Sequence, residues 1–81
     1  MIEKINEPIQ VIAKFEKGVL SPLFFSWRQR DYQVKKIEFV YTHHQGTAKL
    51  FFFFALGIEA NYELIFNNQN FTWRLGKIET L

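Results

Sequence analysis

Apolar and polar side chains alternate along most of this chain with a period of two, the spacing that a β-strand half buried on one face requires. In residues 9–15, Ile9, Val11, Ala13 and Phe15 alternate with Gln10, Ile12 and Lys14, and Pro8 marks the start. Gly18, Ser21 and Pro22 interrupt the pattern before residues 23–27 resume it as a short apolar strand. The hinge Arg28-Gln29-Arg30-Asp31 holds no glycine, so the pattern predicts a four-residue loop built on a type I turn rather than a tight two-residue primed turn. In residues 32–41, Tyr32 and Val34 share one parity while Ile37, Phe39 and Tyr41 share the other. A parity switch inside a strand is the mark of a bulge, expected here at Lys35-Lys36.

A polar loop is expected at residues 42–46, followed by a strand at 47–56 whose centre, residues 50–56, is apolar on both faces. Residues 57–60 make a turn. Tyr62, Leu64 and Phe66 then alternate with polar neighbours, Asn67-Asn68-Gln69-Asn70 turns the chain, and Phe71, Trp73 and Leu75 close a last hairpin with one inward face. Nowhere after residue 8 do apolar positions recur at helical spacing. The expected fold is therefore all-β: an antiparallel meander of about six strands curling into a small, partly open barrel, one domain over residues 1–81 with an N-terminal extension at residues 1–7. Val11, Phe25, Trp27, Val34, Phe39, Phe53, Tyr62, Leu64, Trp73 and Leu75 are expected to share its core.

Composition sharpens this. A chain of 81 residues has room for one core, and without cysteine it has no disulfide or thiolate metal site to reinforce it. Aromatic residues make up 19% of the chain, Phe alone accounting for 10, so ring packing must supply the stability that cross-links do not. The absence of cysteine and of a secretory-type start favours a cytoplasmic protein. The apolar stretch at residues 50–58 is half the length of a membrane helix, so no membrane partner is expected.

Candidate chemistry is sparse. The eight acidic residues are scattered singly among basic or polar neighbours, the serines have no local His partner, and no glycine-rich loop precedes a helix, so an enzyme is not expected. His43 and His44 are adjacent and would point to opposite faces of a strand, which makes them loop residues rather than metal ligands. No cofactor is expected. Net charge is only +2, yet residues 14–49 carry seven Lys or Arg against the three acids Glu16, Asp31 and Glu38.

The series Phe25-x-Trp27-Arg28-x-Arg30-x-Tyr32-x-Val34, followed by Tyr62-Glu63-Leu64 and Trp73-x-Leu75, resembles a family of small bacterial β domains of unknown function. Members of that family show a Trp-Arg-Gly-Arg turn, a Tyr-x-Val, and later Tyr-Glu-Leu and Trp-x-Leu. The resemblance covers about two thirds of the chain, from Pro22 onward, and is carried by order and spacing. This chain departs from it with Gln29 in place of glycine and Asp31 in place of a basic residue. Some relatives are associated with translesion DNA polymerases, which implies a nucleic-acid context.

Two candidate binding sites follow. Trp27, Arg28, Arg30, Tyr32, Lys35 and Lys36 form a basic and aromatic set of the type that contacts single-stranded or duplex nucleic acid through phosphate and stacked bases. The alternative reading of that set is a solvated turn whose Arg stems cover the rings. Phe51, Phe52, Phe53 and Phe54 are the second site, a surface for a protein partner or a homodimer. Parity forbids burying all four rings in one core: one pair faces in and the other needs cover, from residues 1–7 or from a second chain.

Overall fold

A computed structural model describes all 81 residues and shows seven antiparallel strands. They are β1 (Ile2–Glu16), β2 (Val19–Trp27), β3 (Arg30–Gln33), β4 (Lys36–Gln45), β5 (Ala48–Leu56), β6 (Ala60–Asn67) and β7 (Thr72–Thr80). They form one sheet in the order β3-β2-β1-β7-β6-β5-β4. Strands β3 and β4 follow one another in sequence but stand at opposite edges of the sheet, so the sheet must curl to bring its ends near each other. It does not close: β3 pairs only with β2, and β4 only with β5.

The curl rests on β1. Its first half pairs with β7, from Ile2 opposite Glu79 to Ile9 opposite Trp73, and its second half pairs with β2, from Gln10 opposite Ser26 to Glu16 opposite Val19. Residues 2–7, expected as an extension, are thus part of the sheet, and Pro8 lies within β1. The bend comes at Asn6, which has a left-handed backbone (φ 54°) inside an irregularity between Lys4 and Glu7. Arg74 braces it, donating through Nε to Asn6 Oδ1 at 2.8 Å and through Nη2 to the Asn6 carbonyl.

Folded over in this way, the β2–β3 hairpin lays its rings on the inner face of β6. Phe25 meets Tyr62 edge-on with centroids 4.9 Å apart and stacks on Tyr32 at 5.0 Å. The buried core is Phe25, Phe53, Ala55, Ala60, Tyr62, Leu64, Leu75 and Ile78, with Val11, Trp27, Val34, Ile37 and Trp73 packed around it. Each fully buried large side chain stabilises the fold by roughly 1.5–3 kcal/mol.

Three turns are tight. Lys17 and Gly18 (φ 53° and 78°) join β1 to β2, and Arg28 and Gln29 (φ 52° and 65°) join β2 to β3. Both are two-residue turns with two left-handed positions, and Trp27 sits directly opposite Arg30, so the expected four-residue loop is not what forms. The primed turn matches the right-handed twist of the flanking strands, and that gain outweighs the cost of left-handed backbone at two residues with side chains. Gly46, also left-handed, and Thr47 join β4 to β5; His43, His44 and Gln45 therefore belong to β4 rather than to a loop.

The expected parity switch exists but takes another form. The chain leaves sheet geometry at Val34-Lys35, where the Lys35 N–H donates to the Leu56 carbonyl at 2.8 Å. A second irregularity lies in β4 between Ile37 and Phe39. Ile37 packs on the core, whereas Phe39, beyond the irregularity, turns outward and leaves the expected core set with 51% of its surface exposed.

Candidate functional site

The basic hairpin is built by the β2–β3 turn. The Arg28 guanidinium lies 4.3 Å from the centre of the Trp27 ring and donates to Glu7 Oε2 at 2.9 Å. Trp27 Nε1 donates to the other Glu7 oxygen at 2.7 Å. These two hydrogen bonds, Arg28 first, hold the Glu7 carboxyl below its ordinary range, and the same contact with Glu7 raises Arg28 further. Beyond the turn the Arg30 guanidinium sits 5.5 Å from the centre of the Tyr32 ring, and Ser26 donates to Asp31 at 2.6 Å. Each arginine therefore covers the ring that a base would stack on, and Arg28 is already paired with a carboxylate. Lys35 and Lys36 lie past the far end of β3, a strand of four residues spanning about 13 Å. The turn and the lysines do not converge.

The phenylalanine run divides as parity requires. Phe53 faces the core beside Trp73 at 5.5 Å, and Phe51 faces the same way against Phe66 at 6.1 Å, with the Lys49 ammonium 5.2 Å from its ring centre. Phe52 and Phe54 face out. They are joined by two rings from β4 outside the run: Phe39 stacks on Phe54 (5.1 Å, 5°) and Tyr41 on Phe52 (4.8 Å, 1°). Phe39 and Tyr41 themselves stand 6.4 Å apart, so the four rings form one aromatic ladder.

This ladder borders an unpaired strand edge, because β4 has no neighbour beyond β5. Phe39, Val40 and Tyr41 are 51, 46 and 48% exposed. Between Phe39 and Gln45 the strand carries no Lys, Arg, Asp or Glu. Charge begins further along the outer face, where Glu63 accepts a long 3.5 Å hydrogen bond from the Tyr41 hydroxyl. Partial burial and then the Glu63 charge hold the Tyr41 phenol above its ordinary range. The N-terminal segment is paired with β7; its Ile2 lines a shallow pocket together with Phe54, while Phe39 and Tyr41 stay about half exposed. A different exposed apolar set, Ile12, Phe15 and Val19, sits near the β1–β2 turn, but Lys14, Glu16 and Lys17 break it up.

Sequence reasoning missed Phe39 and Tyr41 as site residues. The signal was Glu38, a charge between Ile37 and Phe39 at the point where the strand's facing reverses. No group of three His, Asp or Glu side chains is placed to hold a metal ion, and no charged or polar residue is buried. No helix is long and apolar enough to cross a membrane. No protein-family model, curated protein or solved structure matches the chain.

Proposed function

We propose that this chain is a non-enzymatic association module and that the outer face of β4–β5 is its contact surface. The observation that carries this reading is the ladder of Phe39, Tyr41, Phe52 and Phe54 beside an unpaired edge free of charged side chains from Phe39 to Gln45. Exposed long edges invite pairing with another chain, and proteins ordinarily guard them with charge, proline or brevity. The opposite edge, β3, has such guards: it is four residues long and begins Arg30-Asp31. The edge at β4 has none over its middle.

Weak, sequence-tolerant nucleic-acid contact at the basic hairpin is the second reading, supported by the exposed guanidinium groups of Arg28 and Arg30. Salt separates the two. Contact through the ladder is apolar and should hold or strengthen as salt rises, whereas phosphate contact must weaken steeply. Static light scattering should show net attraction between chains at 1 M salt, abolished in Phe39→Ser/Tyr41→Ser. Net repulsion at every salt concentration, unchanged by the double substitution, contradicts the association reading. Binding of a labelled oligonucleotide at low salt, lost in Arg28→Ala/Arg30→Ala, would instead support the hairpin.

A further inference from the structure

We infer that the occupant of this edge is a second copy of the same chain, joined β4 to β4 in antiparallel fashion about a two-fold axis through Val40. The inference rests on the association reading above and specifies its partner and register.

A backbone edge of unpaired N–H and C=O groups is satisfied by an extended strand. Strand β4 is itself extended and exposed, and two copies can meet only in an isologous arrangement, in which each residue faces a symmetry-determined mate. Directly opposed residues in an antiparallel pair point to the same face. The axis must therefore pass through a residue, and the choice of residue decides which rings meet.

An axis at Val40 places Phe39 of each copy opposite Tyr41 of the other. This repeats between chains the cross-strand ring pairing that Phe39–Phe54 and Tyr41–Phe52 make within one chain at 5.1 and 4.8 Å. The two ladders then run on as one aromatic face across the joint. An axis at Tyr41 keeps one ring pair across the joint, Tyr41 with its own mate, but sets Phe39 against His43, and an axis at Thr42 sets Tyr41 against His43 and keeps none; only the Val40 register gives two Phe39–Tyr41 pairs. No like charges are opposed in the Val40 register: Glu38 is the extra residue of the irregularity, so beyond the Phe39–Tyr41 pairs Ile37 meets Thr42 and Lys36 meets His43. The arrangement is also closed, because two-fold pairing consumes the β4 edge of both copies and leaves only the short, charged β3 edges outside.

The absence of cysteine permits a direct test. Residues on the axis have Cβ atoms about 4.5–5.5 Å apart, close to disulfide geometry, whereas a residue two positions along lies about 13 Å from its own mate. Val40→Cys should therefore cross-link to a covalent dimer under mild oxidation at least tenfold faster than Thr42→Cys or Tyr41→Cys. Val40→Lys and Val40→Glu chains should each be monomeric by light scattering and form a one-to-one dimer when mixed, with circular dichroism confirming that each is folded alone. Faster cross-linking at Tyr41 or Thr42 overturns the register while leaving the association face in place. A monomeric wild-type chain with equal, slow cross-linking at all three positions overturns the dimer, and the scattering of the Phe39→Ser/Tyr41→Ser variant then decides the association reading separately.

Discussion

Gln29 occupies the second left-handed position of the β2–β3 turn, with φ 65° and a side chain that contributes none of the hairpin's hydrogen bonds. Left-handed backbone costs a residue with a Cβ about 1–2 kcal/mol, part of which glycine returns as unfolded-state entropy. Gln29→Gly should therefore raise stability by about 0.5–1 kcal/mol, seen as a higher urea midpoint with an unchanged slope; a lower midpoint would show that the turn is not strained. The turn type itself was illegible because Arg-Gln gives none of the usual Asn-Gly or Asp-Gly signal.

Glu7 is the second instructive residue. Its carboxyl is held below the ordinary value near 4.5 by Arg28 and Trp27, so its contribution is present above that value and is lost as pH falls through the lowered one. Burial, the larger cause in each, raises Tyr41 and Tyr62 above the ordinary phenol value near 10, so their contribution is complete below that value and is lost as pH climbs past it. Thermal unfolding followed across pH should give a plateau between about pH 5 and 9 with a falling limb on either side. Glu7→Gln should flatten the acid limb and leave the alkaline one unchanged.

At the scale of elements, strand existence was legible and strand facing was not. The alternation in β6 and in the centre of β7 fixes their inward sides, and Tyr62, Leu64 and Leu75 are buried as that alternation requires. In β4 the same argument fails, because one irregularity between Ile37 and Phe39 reverses every side chain after it. Phe39 thus passes from expected core to surface without any change in local hydrophobicity. The first strand fails differently: Val11 packs on the core, but Phe15, four residues on and paired with Leu20 near the end of β1, is exposed. These assignments predict unequal losses for two truncations. Leu64→Ala, at a fully buried position, should cost about 2–5 kcal/mol, whereas Phe39→Ser, at a half-exposed ring stacked on Phe54, should cost the single chain less, about 1–2 kcal/mol. Equal losses in chemical denaturation at low concentration would place Phe39 back in the core.

At the scale of the molecule, an open sheet has two edges, and this one treats them unequally. The β3 edge is short, charged and adjoined by arginines paired or stacked within the chain. The β4 edge is ten residues long and flanked by an aromatic ladder. Half of that ladder, Phe52 and Phe54, was visible in sequence as one parity of the phenylalanine run; the other half depended on the β4 irregularity. Trp27, Arg28, Arg30 and Tyr32 of the basic hairpin were visible in sequence, but not the two-residue turn, the distance to Lys35 and Lys36, or the Glu7 carboxylate, twenty or more positions away, that engages both Trp27 and Arg28.

Residue-resolved amide hydrogen exchange, measured at low and at high protein concentration, tests the account most directly. Pairing at the β4 edge should slow the edge-facing amides of residues 38–42 as concentration rises, while amides of Arg30–Gln33 on the opposite edge exchange at a constant rate. Exchange along β4 that is independent of concentration, or protection that appears at β3 instead, would contradict it.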